Sequence, residues 1–394
     1  MLKMNEIDLS GRRVLIRVDL NVPMSNGIIE NDSRIKATIP TIKLALQSNC
    51  SIILMSHMGR PKEGIFEENF SLNSVAENLS SALRREVRFI SNWDKDFDIN
   101  NGDIVLMENV RFLKGEKNND PDLSKKMGEL CDIFVMDAFA SAHRSHASTC
   151  GVIEFAKIAC IGPLFSYELE SLQRIFSNPK RPVLAVVGGS KISTKLEVIT
   201  SLSKSVDYLI LGGGIANTVL KATGYEIGLS LHEESMLVSA KSLSQNTKNS
   251  CVIPEILDVL VARKFSVESK AILKNIEDVS KDDLILDIGP KTVKKYEAII
   301  EKAATIIWNG PVGVFEFDEF SQGTKKITNA IINSDGYSAA GGGDTIAAID
   351  KFGAADGISY ISTGGGAFLE FIENKTLPSA KALEIHEDKL EKGP

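Results

Sequence analysis

Two sets of side chains in this chain could do phosphate chemistry. In the first half, arginines and histidines stand just after short apolar runs: Arg17, with Asp19 and Asn21, in "RVDLN"; His57 and Arg60 in "SHMGR"; Arg111 in "ENVRF"; His143 and Arg144 in "SAHRSH". Arg34 follows in the loop after the first of these runs. Arginine's planar fork suits phosphate and carboxylate. Any one of these residues could instead cap a helix or pair with a surface acid; five at run ends favour a site for a small, highly anionic molecule. In the second half the same places hold glycine: "VVGGSK", "LGGGIAN", "WNGPVGVFE", "AAGGGDT" and "STGGGAF". Glycine lets backbone N–H groups approach a phosphate, and a helix N-terminus adds a favourable dipole. Tight strand–helix packing would also select glycine. Lys191 and Lys195, four residues apart after the first of these turns, tip the reading toward a polyphosphate. Asp344 and Thr345 open an apolar helical pattern and would serve as N-caps; an acid beside a polyphosphate also serves its Mg²⁺.

These residues need elements to hold them at one edge. "RVLIRVDL", "SIILMS", "DIVLMEN" and "DIFVMDAF" in the first half are continuous rather than alternating apolar runs, as are "RPVLAVVGG", "DYLILGGG", "DLILDIG", "ATIIWNGP", "GYSAAGGG" and "ISYISTGGG" in the second. Such runs predict strands covered on both faces, hence parallel sheets with helices on each side. The 394 residues exceed one comfortable core, which predicts two domains. In "LFSYELESLQRIF", Phe165, Leu169, Leu172 and Phe176 share one helical face, and "SNPKRP" stops that helix. The expectation is an α/β protein of two Rossmann-like domains, each a mostly parallel sheet flanked by helices, joined by a hinge helix. In residue terms, these are an N-terminal domain over 1–162 and a C-terminal domain over 163–377 that includes the interdomain helix 164–176.

Composition excludes some classes. A net charge of −7, from 45 basic and 52 acidic residues, argues against nucleic acid or an anionic membrane as partner. Five cysteines, an odd number without a C-x-x-C pair, fit buried thiols in a reducing compartment. "MLKMNEIDLSGRR" has no apolar core of a secretory signal and the apolar runs are of strand length, so a cytoplasmic enzyme is the expectation. G-x-x-x-x-G-K-[ST] is absent, as is the V-A-I-K, H-R-D and D-F-G set. No G-x-G-x-x-G follows a strand, which disfavours a dehydrogenase. His143 and His146 lie too close to Arg144 for a metal pair.

"RVDLNVP", "SHMGRP", "ENVRF", "AHRSHAS", "GGSKISTKL", "LDIGPKT", "WNGPVGVFE", "GGGDT" and "STGGGA", in this order, resemble phosphoglycerate kinases. The resemblance covers about Arg17 to Lys375. It implies transfer of a phosphoryl group between 1,3-bisphosphoglycerate and ADP, giving 3-phosphoglycerate and MgATP, by hinge-bending closure and without a general base. It implies a monomer whose C-terminal tail, 378–394, packs back on the N-terminal domain. As catalytic residues it implies Arg34, Lys191, Gly342 and Gly365. It assigns Arg17, Asp19, Asn21, Arg34, His57, Arg60, Arg111 and Arg144 to the phosphoglycerate. It assigns Lys191, Lys195, Gly212, Gly213, Gly214, Asn309, Pro311, Val314, Glu316, Gly341, Gly342, Gly343, Asp344 and Thr345 to ATP or ADP, with Asp344 also the Mg²⁺ ligand. Leu20, Ala140, Ser141, Phe165, Tyr167 and Phe368 depart from the family pattern, and none removes a charged site residue. Phe368 would either narrow the last glycine turn or fill core. Two other readings stand beside this one: another acyl-phosphate kinase for a small carboxylate, and a non-catalytic nucleotide-binding homologue.

Overall fold

The apolar runs of the first half become strands β1 (Arg13–Arg17), β4 (Ser51–Met55), β6 (Ile104–Met107) and β7 (Ile133–Met136) of one parallel sheet. The computed structural model describes residues 1–25, 27–93, 97–246 and 251–392. Sequence reading missed β5 (Arg88–Ile90), β8 (Ile158–Ile161) and the small hairpin β2 (Met24–Ser25) and β3 (Ile28–Ile29). Both missed sheet strands lie at edges, in the order β5-β6-β4-β1-β7-β8. β5 has no buried residue and β8 opens half-buried at Ile158, so neither edge strand is buried throughout as β4, β6 and β7 are. The chain divides into two units, Met1–Glu170 with Thr376–Pro394, and Ser171–Lys375.

In the second unit, β9 (Val183–Val187), β10 (Tyr208–Leu211), β14 (Thr305–Asn309), β15 (Tyr337–Ala340) and β16 (Tyr360–Ile361) form a parallel sheet in the order β10-β9-β14-β15-β16. "DLILDIG" does not join it. Its strand, β13 (Leu284–Ile288), pairs antiparallel with β11 (Asp258–Ala262), which also pairs with β12 (Ile272–Asn275). The parallel reading of that run is corrected here. β13 is half-buried at Leu284 and Ile285 and buried from Leu286 on, so its sequence resembles a central strand although its partner β11 runs the other way.

The helix Pro163–Phe176 continues through the boundary between the two units. Phe165, Leu169 and Leu172 are buried along it, as their spacing predicts. Its start is set by Asp137, just past β7, whose buried carboxylate accepts a hydrogen bond from Phe165 N at 3.0 Å. Gly162 lies against this carboxylate, and a Cβ there would stand 2.2 Å from Oδ1. Burial pushes the Asp137 carboxyl up to about 7 despite hydrogen bonds from Thr41, Phe165 and Leu164. The folded chain therefore keeps this proton where the unfolded chain has lost it. Stability relative to an Asp137→Asn variant should fall as pH rises from about 4 to about 7, then level off. Urea unfolding of both proteins across that range checks this.

The segment Pro378–Lys392 is helical. It is held to the first unit by Ser379 N donating to Ala142 O at 3.2 Å and by Ala159 N donating to His386 Nε2 at 3.2 Å. Residues 393–394 of the tail lie outside the described residues. Among the described residues no helix is long and apolar enough to cross a membrane. The five cysteines are all unpaired, and four are buried.

Candidate active site

Parallel strands β6, β4, β1 and β7 are neighbours, so their carboxyl ends share one edge. Arg111, His57, Arg17 and Arg144 follow those ends in turn, in the region where open α/β sheets bind ligands. Arg17 is the last residue of β1 and is buried. Its guanidinium donates to Ser148 Oγ at 3.1 Å, Val18 O at 2.6 Å and His57 Nδ1 at 3.1 Å. Arg111 is buried in the turn Val110–Phe112 and donates to Gly59 O; its Nε has no partner among the described residues. Arg144 donates from Nε to His143 Nε2 at 3.2 Å. Arg60 is exposed; burial lowers the pKa values of Arg144 and Arg111, and the Arg60 charge adds to that. Arg34, in the first turn of the helix Ser33–Gln47, bridges Asp19 at 3.0 Å and donates to Asn21 O at 2.9 Å. Asn21 Oδ1 accepts from Gly59 N at 2.8 Å.

This cluster carries more positive charge than its surroundings can absorb. Burial, then Arg17, Arg111, Arg144 and Arg34, hold His57 well below the usual imidazole range. Burial and the arginines push His146 down to about 4. Arg111 itself is lowered to about 10, by burial and then Arg144. A cation lowered by its neighbours is a cation short of anions. Two buried acids lie among them: Asp19, bridged to Arg34 at 3.0 Å, and Glu116, which sequence reading missed because a single acid in "KGEKNND" carries no distinguishing pattern.

In the second unit all five glycine turns follow strands of the one parallel sheet. Two kinds of glycine separate here. A Cβ at Gly188 would lie 1.7 Å from Pro311 O, at Gly212 2.5 Å from Val312 Cα, and at Gly214 2.2 Å from Ser190 O. These positions pack turn against turn, and Pro311 belongs to that packing. A Cβ at Gly341 would meet the ring of Phe368 at 2.5 Å. Phe368 is fully buried, so it fills core and narrows that turn at once. Gly343, by contrast, is exposed and has nothing within 4 Å of a Cβ. Gly342 (φ +101°) is the N-cap of the helix Gly343–Phe352, with no side-chain cap. The N-cap reading of Asp344 and Thr345 is thereby corrected. Both lie inside the first turn, whose N–H groups have no intrahelical acceptor. Helices Gly213–Ala222 and Gly365–Asn374 likewise open on glycine without a side-chain cap. Gly365 approaches Gly342, with a Cβ there 3.0 Å from Gly342 Cα.

Asn309 ends β14, donates to Gly341 O at 2.7 Å, and leaves its buried Oδ1 without a partner among the described residues. The Thr345 hydroxyl accepts from Gly310 N at 2.7 Å and donates to Gly341 O at 2.9 Å, so it is committed within the protein. Lys195 donates to Gly188 O at 2.7 Å and Asn309 O at 3.2 Å. Lys191 is exposed in the loop after β9 rather than on a helix with Lys195, since the next helix begins at Leu196. Gly213, Gly214 and Val314 line a cavity of about 370 Å³ whose other walls include Leu229, Leu231 and Phe265. Those three sit in loop segments where no motif marks them. Glu316 is exposed in the same loop as Val314.

The match to known proteins now decides the family. The phosphoglycerate kinase family model matches residues 4–375. The chain belongs to the phosphoglycerate kinase family. A phosphoglycerate kinase from Coxiella burnetii shares 50% identity, with 98% of this chain and 99% of that one covered and a TM-score of 0.94. One from Pyrococcus horikoshii shares 30% identity, over 99% and 100% of the two chains, with a TM-score of 0.83. The chain is thus a kinase with a carboxyl group as phosphoryl acceptor. It moves a phosphoryl group between 1,3-bisphosphoglycerate and ADP, giving 3-phosphoglycerate and ATP. Lys195, which the sequence resemblance assigns to the nucleotide, should register phosphate binding in pH. Burial pushes its ammonium down to about 8, opposed by Asp344. The charge is present below that value and lost above it, while a bound phosphate favours it. Nucleotide affinity should weaken as pH rises above about 8, with proton uptake on binding in that range. Calorimetry in buffers of different ionisation enthalpy measures the uptake, and Lys195→Arg should abolish it.

Proposed function

We propose that the two units divide the reaction, with the phosphoglycerate held by the first and the nucleotide by the second. The observation that carries this is the charge-deficient basic cluster at the ends of four neighbouring strands. Its Arg111 Nε is buried without a partner among the described residues. Such a cluster suits a ligand bearing phosphate as well as carboxylate. Arg17, His57, Arg60, Arg111 and Arg144 hold the phosphate remote from the reacting end. Asp19 and Asn21 hold the hydroxyl and carboxylate end, with Arg34 beside the transferring group. The uncapped helix at Gly343 and the Thr345 N–H receive nucleotide phosphates. Lys195 and Asn309 flank them, and Gly212 to Gly214, Pro311, Val314 and Glu316 border the adenosine.

The residues present fit a Mg²⁺ that arrives on the nucleotide. Asp344 offers one exposed carboxylate at the helix N-terminus, and the described residues hold no group of three His, Cys, Asp or Glu for a protein-only site. Magnesium commonly takes one or two carboxylates plus phosphate oxygens and water. When bound it neutralises phosphate charge. The acceptor carboxylate is ionised at neutral pH, with a pKa near ~4, and needs no general base. Catalysis is then positioning and charge stabilisation, for which Arg34, Lys191 and the N–H groups around Gly342 and Gly365 are the right type. Donor and acceptor must meet with water excluded, and we propose hinge closure for that step. We also propose that the protein works as a cytoplasmic monomer. Calorimetric titration tests the division of roles: Arg111→Ala should lose 3-phosphoglycerate binding and keep MgADP, and Asp344→Ala should lose the Mg²⁺ dependence of ADP binding alone. Loss of both ligands in either variant would contradict the division.

A further inference from the structure

Beneath the basic cluster runs a chain of hydrogen bonds whose direction is fixed by its donors. Arginine donates and never accepts. Arg17 Nε gives its proton to Ser148 Oγ at 3.1 Å, and Arg17 Nη2 gives one to His57 Nδ1 at 3.1 Å. The Ser148 hydroxyl has a single proton, and Glu116 Oε1 stands 2.6 Å away to take it. Glu116 Oε2 accepts from Ser148 N at 3.0 Å, so both carboxylate oxygens act as acceptors. Glu116, Ser148 and Arg17 are buried, where the low local dielectric strengthens these hydrogen bonds. At the other end His57 Nδ1 is an acceptor, which leaves the ring proton on Nε2.

We infer that Glu116 and Ser148 are positioning residues for the phosphate site: through Arg17 they hold His57 as the neutral Nε2–H tautomer, a hydrogen-bond donor to the substrate's non-reacting phosphate. The inference rests on the proposed reading of this cluster as the phosphoglycerate site. Arg17 has spent a proton on each of Ser148, Val18 and His57, so it acts on the substrate partly through the histidine it orients. Glu116 accepts both Ser148 donors and so fixes the hydroxyl that Arg17 Nε meets before substrate arrives. Burial and then the arginines keep the imidazole neutral, and the relay then selects which nitrogen donates.

The test uses the full chain labelled with ¹⁵N-histidine. The five histidines make the spectrum tractable, and His57 is assigned by its loss in His57→Gln. Long-range ¹H–¹⁵N correlation at about pH 7 should show His57 as the Nε2–H tautomer in the free protein. Adding 3-phosphoglycerate should shift the Nε2 signal. Ser148→Ala, a small change that keeps the buried charges, should mix the two tautomers. It should weaken 3-phosphoglycerate by about tenfold, with MgADP affinity unchanged. Glu116→Gln, which offers one acceptor oxygen in place of two, should do the same. An Nδ1–H tautomer in the parent overturns the relay, as does a Ser148→Ala variant with parental tautomer and affinity. A changed tautomer at unchanged 3-phosphoglycerate affinity overturns the positioning role. If the parent's tautomer is as inferred but 3-phosphoglycerate leaves His57 unshifted, the substrate reading fails, and the positioning role with it.

Discussion

Replacing Lys191 by alanine should lower kcat by about 10²–10³-fold while leaving thermal stability and both substrate affinities near those of the parent. Lys191 is exposed in the loop after β9, and its backbone carbonyl, which accepts from Thr194 Oγ1 at 2.9 Å, remains when the side chain is cut back. Its loop is instead pinned by a neighbour: Ser193 donates to Glu233 from N at 2.8 Å and from Oγ at 2.6 Å. The loop therefore keeps its shape without the lysine. A charge that meets the phosphoryl group only in transit contributes to the transition state more than to binding, so kcat falls and KM does not. Lys191→Arg should recover part of the rate, since charge is kept and geometry is not. Steady-state kinetics with both substrates varied, alongside a melting curve, checks this. A tenfold rise in the nucleotide's KM at unchanged kcat would instead make Lys191 a simple phosphate contact.

The second large effect separates the two kinds of glycine. Gly188→Ala should destabilise the second unit by about 3 kcal/mol or more. The added methyl would sit 1.7 Å from Pro311 O, a backbone atom tied to the turn after β14. Neither turn can yield without breaking the hydrogen bond from Gly188 N to Asn309 O, 3.0 Å long. Gly343→Ala should change stability by less than about 0.5 kcal/mol, because its methyl meets nothing in the free protein. Its cost should appear only with ligand, as a nucleotide KM raised by about tenfold at an unchanged melting temperature. Melting curves and nucleotide KM values for the two variants decide the matter. A Gly343→Ala enzyme with parental nucleotide KM would remove that residue from the phosphate cradle.

This contrast shows what was legible in the sequence and what was not. A run of glycines announces that something approaches the backbone, but not whether it is a ligand or another turn. Gly188, Gly212 and Gly214 face other turns, Gly341 faces Phe368, and Gly343 faces open space; only the fold distinguishes them. The central parallel strands were legible because burial on both faces leaves an unbroken apolar run. β13 carries a similar run and was misplaced, because strand direction depends on the strand it pairs with, here the antiparallel β11. The basic residues were legible because each follows a strand. Glu116 was not, because it reaches Arg17 only through Ser148, 32 residues further along the chain. The apolar walls Leu229, Leu231 and Phe265 come from loops, where no periodicity marks a residue as facing a cavity.

The central claim is that the basic cluster requires a second, non-reacting phosphate on the carboxylate substrate. Initial rates of ADP formation from MgATP test it most directly, with 3-phosphoglycerate, glycerate and acetate compared at equal concentration. The predicted result is turnover with 3-phosphoglycerate and none measurable with the other two, with the 3-phosphoglycerate rate collapsing in Arg111→Ala. Comparable rates with glycerate and 3-phosphoglycerate, or a 3-phosphoglycerate rate untouched by Arg111→Ala, would contradict the account.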